Sequence, residues 1–251
     1  LGKSQDQFVM DSYKSVVKEK YNSSQRDIYA DRYSFVNTCG FYGYNQLLKC
    51  FYEAFNVIRK RGDNVAQFNF LDVGCGHGTW TEFYASITDD SAKVYGIDLS
   101  AERLAIAKKR NPGMDYQIKD MVKDDLSYAK ANFISALTVF MFLKEENEIH
   151  QALKNIHHSL QSGGYFLWVD AYHVSRFKST AYAAGFTLSE MLDFAQQNGF
   201  KPIYKKKMYK LLLGRYHTLF LREKLPNWLV WLIEKIVPSP PGNIFVLFQK
   251  K

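Results

Sequence analysis

Three glycines and three carboxylates in this chain are spaced so that they could hold one small ligand carrying an ammonium, a ribose and an adenine. Gly74-x-Gly76-x-Gly78 follows the apolar run Phe68-Asn69-Phe70-Leu71-Asp72-Val73 and precedes Thr79–Ser86, which can open a helix. Glycines at such a turn let the backbone bend sharply and approach a ligand with no Cβ in the way. The third glycine comes one residue too early for the dinucleotide fingerprint, where Thr79 stands instead, and Asp72 lies two residues before the first glycine. A carboxylate there can hold an ammonium. Asp98 ends the next apolar run, Tyr95-Gly96-Ile97-Asp98, where an acid can accept both hydroxyls of a ribose. Asp120, in Lys119-Asp120-Met121 after the third run, could take the adenine amino group, and the Met121 backbone N–H its ring nitrogen.

These residues must be carried on strand ends, and the periodicity supplies the strands. Phe68–Val73, Val94–Ile97, Asp115–Ile118, Phe133–Val139 and Tyr165–Val169 read as strands, separated by amphipathic helical segments such as Ala101–Arg110 and Glu146–Leu160. Such alternation predicts an α/β, doubly wound, mostly parallel sheet covered on both faces. The rhythm breaks late. Leu188–Asn198 reads as a helix stopped by Gly199, Pro202–Tyr209 and Ile244–Gln249 as two strands, and about 211–241 as a hydrophobic helical insertion between them. Two neighbouring strands without a packing crossover helix predict an antiparallel end to a seven-stranded sheet. Residues 1–65 read as a helical N-terminal cap of the same domain, with an irregular aromatic run at Tyr42-Gly43-Tyr44, and 66–251 as the core.

On these residues the sequence resembles a class I S-adenosylmethionine (SAM)-dependent methyltransferase. Leu71–Gly78 is similar to that family's first motif, Gly96-Ile97-Asp98-Leu99-Ser100 to its ribose motif, and Leu160-Gln161-Ser162-Gly163-Gly164-Tyr165 to its turn before strand five. The resemblance implies SAM as donor and S-adenosylhomocysteine as product, held by Asp72, Gly74, Gly76, Gly78, Asp98, Leu99, Asp120, Met121 and Thr138. Ala131-Asn132-Phe133 departs from it, because the family often carries an Asp at the start of strand four. His77 reads as a loop residue facing solvent or packing, and Cys75 as a small buried filler.

Methyl transfer from a sulfonium needs chiefly alignment of the acceptor and, for a hydroxyl, management of its proton. Candidate groups project from the carboxyl ends of strands four and five. Asp170 and His173 are the catalytic candidates, with Asp170 either orienting the imidazole or bracing the loop, and Tyr172 a substrate contact. No Cys/His spacing calls for a metal, although an ion organised by Asp170 stays open. Arg32 and Tyr33 are further substrate candidates. Arg32–Asn37 and Leu225-Pro226-Asn227-Trp228, with the first motif, resemble a bacterial subgroup associated with cell-surface polysaccharide and glycolipid assembly. That resemblance implies O-methylation of a sugar or glycan-linked acceptor, either neutral or anionic.

Charge bears on partners. The formal net charge is +8, and Lys201 onward holds 11 Lys/Arg against Glu223 and Glu234, leaving 22 bases and 23 acids before it. That basic end suits an anionic substrate, an anionic membrane surface or a solvated strand and tail. Nucleic acid is disfavoured, since Thr138-Val139-Phe140-Met141 stands where an Asn/Asp-Pro-Pro-Tyr motif would be, though other RNA methyltransferases use other motifs. Pro226–Val237 predicts a helix apolar around most of its circumference, to be covered by the fold, by a second subunit in a homo-oligomer, or by a membrane interface with Lys205, Lys206, Lys207, Lys210 and Arg215. Three unpatterned cysteines and a start without a secretory pattern lead to the expectation of a reduced, cytoplasmic protein, either free or peripheral to the inner membrane. An RNA or other small-molecule or lipid methyltransferase, a nicotinamide oxidoreductase and a SAM-binding regulatory or scaffold subunit without chemistry are the competing readings.

Overall fold

The computed structural model describes residues 38–172, 185–210, 226–236 and 241–251. Helix α1 spans Thr38–Arg59, and then β1 (Phe70–Val73), α2 (Thr79–Ala85), β2 (Val94–Asp98), α3 (Ala101–Arg110), β3 (Asp115–Ile118) and β4 (Ala131–Leu137) alternate. There follow α4 (Glu146–Ser159), β5 (Leu160–Ala171), α5 (Leu188–Gln197), β6 (Phe200–Lys210), α6 (Asn227–Ile236) and β7 (Pro241–Lys250). The seven strands form one sheet in the order β3-β2-β1-β4-β5-β7-β6, with β7 antiparallel to both β5 and β6. The predicted sheet and its antiparallel end are thus present.

Strand alternation sends side chains to opposite faces, and helices cover both. Leu71, Val73, Ile134, Phe166, Trp168, Val246 and Phe248 pack against Ile149, Leu153 and Ile156 of α4 and Met191 and Phe194 of α5. On the other face Phe70, Phe133, Tyr165, Leu167, Phe245 and Leu247 meet Phe51, Ala54 and Ile58 of α1 and Tyr84 of α2. Each fully buried large side chain contributes about 1.5–3 kcal/mol relative to leaving it exposed. The α1 face is strongly aromatic: Phe51 lies against Trp80, Phe83 and Phe245 with ring centroids 5.0–5.5 Å apart.

Helix α1 is also pinned by polar contacts to β6. Glu53 accepts a hydrogen bond from the Tyr204 hydroxyl and pairs with Lys206 at 3.2 Å. Those contacts, led by the Tyr204 bond, hold the Glu53 carboxyl below its ordinary value. Beyond α1, Tyr165 Oη donates to Asp63 at 2.5 Å.

Several boundaries differ from the periodicity for stated physical reasons. Tyr42-Gly43-Tyr44 lies inside α1 rather than before it, because the Phe51–Ile58 face gives the helix tertiary support that a glycine does not cancel. The segment Leu160–Tyr165 is not a separate turn. Extended backbone begins at Leu160, paired with Ala131, and the register shifts between Ala131 and Phe133 while Gly163 takes φ +69°. β4 stops at Leu137 because Thr138 adopts φ +58°, which cannot continue a strand. β6 and β7 extend past their predicted ends because they pair with each other from Phe200↔Lys250 to Lys210↔Pro241. Among the described residues no helix is long and apolar enough to cross a membrane.

Candidate functional site

The glycine loop is built by local geometry that only glycine tolerates without strain. Gly74, Gly76 and Gly78 all have positive φ, at +69°, +55° and +79°. The N–H groups of Gly74 and Cys75 both donate to Ile97 O, at 2.8 and 3.0 Å, which fastens the loop over β2. At Gly74 a Cβ would lie 2.4 Å from Val139 Cγ2, so the loop and the turn after β4 are in close contact there. At Gly76 the nearest atom to a Cβ position is Arg103 Nη1 at 3.5 Å. Gly76 is therefore a buried loop glycine with a guanidinium beside it.

Asp98, the last residue of β2, joins two loops through its carboxylate. Oδ2 accepts the Gly76 N–H at 2.9 Å and Oδ1 accepts the Ser100 N–H at 2.8 Å. Ser100 in turn caps α3, its hydroxyl accepting the Arg103 N–H at 3.3 Å. The carboxylate is half-buried, so part of it still faces outward. Leu99 beside it is 41% exposed, and Ile118, the β3 residue in register with Asp98, is 62% exposed. An acid flanked by two exposed aliphatic side chains at adjoining strand ends suits a polar ring joined to a flat apolar one.

Asp72 is placed differently. It sits inside β1, buried, with Oδ2 accepting from Thr81 Oγ1 at 3.0 Å and Oδ1 from Ser135 Oγ at 3.1 Å. Burial pushes its carboxyl up to about 7, against the lowering effect of those two hydroxyls. It reaches the loop through the strand end and the first turn of α2. At the third strand end, Asp120 Oδ1 accepts the Val122 N–H at 2.9 Å, folding Asp120–Asp124 into a turn, while Asp124 Oδ2 accepts the Asp120 N–H at 2.7 Å. Met121 is buried and its carbonyl accepts Asn155 Nδ2 at 3.0 Å, which fixes this turn to α4.

Thr138 holds the strained left-handed backbone at the end of β4, its N–H donating to Val169 O at 2.7 Å. Asp170 lies fully buried in β5, accepting from Trp168 Nε1 at 3.0 Å and from the Ala171 N–H at 3.3 Å. The backbone of Phe140 and Met141 also donates to it, and burial, the largest influence, pushes its carboxyl up to about 7. These contacts give Asp170 the work of a brace between β5 and the turn after β4. Tyr172 is half-buried, its N–H bonded to Gly242 O and its ring 5.9 Å from Lys207 Nζ. His173, Arg32 and Tyr33 lie outside the described residues, as does Arg215.

The structure thus draws Asp72, the three glycines, Asp98, Leu99, Asp120, Met121 and Thr138 to one edge of the sheet, at the carboxyl ends of β1 to β4. It adds Thr81, Arg103, Ile118 and Ser135, which the sequence reading did not single out. Ile118 and Ser135 carried no local signal, since their pairing with the singled-out acids is set by the strand register. Neither described cysteine side chain is poised as a nucleophile: burial raises Cys50 to about 11 and Cys75 further still. His77 is half-buried in the loop, its carbonyl 3.5 Å from Arg110 Nη1. Among the described residues no three His, Cys, Asp or Glu converge as metal ligands.

Residues 70–164 match a protein-family model described as a methyltransferase domain. The demethylmenaquinone methyltransferase of Chlorobaculum parvum is 28% identical over 154 residues, covering 60% of this chain and 61% of that protein. The chain therefore spans about three fifths of the length of this curated relative. Among solved structures, the magnesium protoporphyrin IX methyltransferase of Synechocystis PCC 6803 with bound SAH superposes with a TM-score of 0.64 at 12% identity, over 95% of this chain and all of that one. A SAM-dependent methyltransferase from Mesorhizobium loti gives a TM-score of 0.58 at 15% identity, over 75% of this chain and 93% of that one. Residues 70–164 are similar to a methyltransferase domain, and the sheet that carries them has the class I methyltransferase fold.

Proposed function

We propose that this chain is a SAM-dependent methyltransferase whose donor lies across the carboxyl ends of β1, β2 and β3. The observation that carries this is the Asp98 carboxylate, tied to the Gly76 and Ser100 N–H groups and flanked by exposed Leu99 and Ile118. That arrangement fits the donor's adenosine: the outward part of Asp98 accepts the ribose hydroxyls, and the two aliphatic side chains flank the adenine. Asp120 and the Met121 N–H serve the adenine edge, and the glycine loop Gly74–Gly78 serves the amino-acid end, with Asp72 beneath it. When bound, the donor supplies a methyl group already activated on a sulfonium.

The work left to the protein is alignment and proton management. Thr138, held in place by Val169, and the Phe140–Phe142 turn border the acceptor side. Asp170 holds that turn and β5 in fixed relation, so it positions rather than exchanges a proton. His173 is the candidate base. A sugar or glycan-linked hydroxyl is the first acceptor reading, supported by the sequence resemblance of Arg32–Asn37 and Leu225–Trp228. A demethylmenaquinone-like acceptor is the second, supported by the name of the Chlorobaculum relative. Incubation with methyl-labelled SAM and separate glycan and lipid fractions decides between them by where the label goes. Label in neither fraction, together with no SAM binding by calorimetry, overturns the methyltransferase reading.

A further inference from the structure

We propose that α6, with exposed Lys235 on it and Lys49 on the helix it packs against, docks the chain on an anionic lipid surface. Helix α6 buries Val230 completely, yet Trp228, Trp231, Leu232 and Ile236 are 64%, 49%, 36% and 67% exposed. With exposed Lys235 they fall at i, i+3, i+4, i+7 and i+8, a single continuous stripe along the outer side of the helix. Two large indoles on such a stripe are an unusual outer surface for a ten-residue helix, because aromatic rings in water lose the burial that stabilises them. The helix is too short and too flanked by charge to span a bilayer, so a surface that accepts it lies parallel to it.

The charges say which surface. Lys235 Nζ lies 3.9 Å from the centroid of the Trp231 ring, so an ammonium accompanies the apolar stripe rather than opposing it. The acid of the same helix, Glu234, is half-buried and acts on Tyr42 of α1, away from the stripe. Helix α1, on which α6 packs, adds exposed Phe41, Tyr52 and Lys49. On β6, which also packs on α1, exposed Lys206 lies on the α1 face beside Glu53, whereas Lys205 and Lys207 alternate to the other face of the sheet. Apolar rings interleaved with ammonium groups match a bilayer whose acyl boundary takes the rings and whose phosphates take the charges. A second copy of the chain would bring the same positive charges against themselves.

The test is flotation of the whole chain with vesicles of phosphatidylcholine alone and of phosphatidylcholine mixed with phosphatidylglycerol. Binding to the anionic vesicles only, weakened by salt, is expected, together with a blue-shifted tryptophan emission. W228S/W231S lowers the partition by about tenfold or more, and K49E/K235E removes the dependence on anionic lipid. These side chains are exposed, so unchanged circular dichroism certifies the variants as folded. No binding to either vesicle, or equal binding to both, overturns the proposal. So does a dimer that W228S/W231S dissociates without any vesicle binding by the parent chain, which assigns the stripe to a second copy.

Discussion

The Asp98 carboxylate accepts the Gly76 backbone N–H at 2.9 Å, so the residue proposed to hold a ribose also sets the position of the central glycine of the loop. The proposed donor recognition and the loop geometry are coupled through one side chain. Asp98→Ala removes a carboxylate acceptor from two backbone donors and from the ribose at once, and SAM affinity measured by calorimetry falls by about tenfold to a hundredfold. Asp98→Asn keeps one acceptor oxygen and loses less. Equal affinity in all three proteins would remove Asp98 from the site.

Ile118 is exposed, so shortening it leaves no cavity. Ile118→Ala is expected to change unfolding free energy by no more than about 0.5 kcal/mol while SAM affinity drops several-fold. A drop in stability with affinity intact would make Ile118 a packing residue instead.

Gly74→Ala puts a Cβ 2.4 Å from Val139 Cγ2 at a backbone φ of +69°. The clash and the left-handed strain add, and the variant loses about 2–4 kcal/mol in urea unfolding. Pairing it with Val139→Ala relieves the clash but not the strain, so the double variant recovers only part of the loss. Full recovery would show that the backbone conformation at Gly74 carries no penalty.

Asp72 and Asp170 share a pH signature. Burial raises both carboxyls to about 7, above the ordinary value near 4 that each has in the unfolded chain. Between those values the folded state binds more protons than the unfolded one, so stability is highest below about pH 4 for these two groups and falls as pH rises through about 7. Asp72→Asn removes one contribution, and its stability declines less steeply than the parent's across that window in urea melts. Parallel slopes would mean that Asp72 is ionised throughout.

Asp170→Ala leaves the Trp168 indole N–H and nearby backbone donors without their acceptor and destabilises the fold by about 2–4 kcal/mol. Asp170→Asn keeps an acceptor oxygen, and turnover is expected to stay within a few-fold of the parent. A loss of more than a hundredfold in kcat with unchanged melting would instead make Asp170 part of the chemistry. His173→Ala supplies the contrast, since losing a base at that position lowers kcat while the Asp170 brace stays intact.

The fold and the outline of the site were legible in the sequence because their signals are local. Strand runs, the amphipathic helices between them and the glycine spacing after Val73 are read within a few residues, and they suffice for a parallel α/β sheet with acids at successive strand ends. The antiparallel end followed from the missing crossover before the last strand. Where strand ends fell was less legible, because β4 stops at a backbone angle in Thr138 that no local pattern announces.

What only the tertiary structure decided is which groups meet across the sheet. Asp72 and Ser135 are 63 positions apart in the chain and bond because β1 and β4 are neighbours in register. The β2–β3 pairing sets Ile118 beside Asp98, and the β1–β4 adjacency brings Val139 against Gly74. Asp170 looked as available as Asp98, since both are acids ending an apolar run. Their environments separate them: β5 lies in the middle of the sheet beneath the Phe140–Phe142 turn, whereas Asp98 ends β2 near the open edge. Sequence determines residue type and local geometry, while burial and partners depend on what chain-distant segments place around each residue.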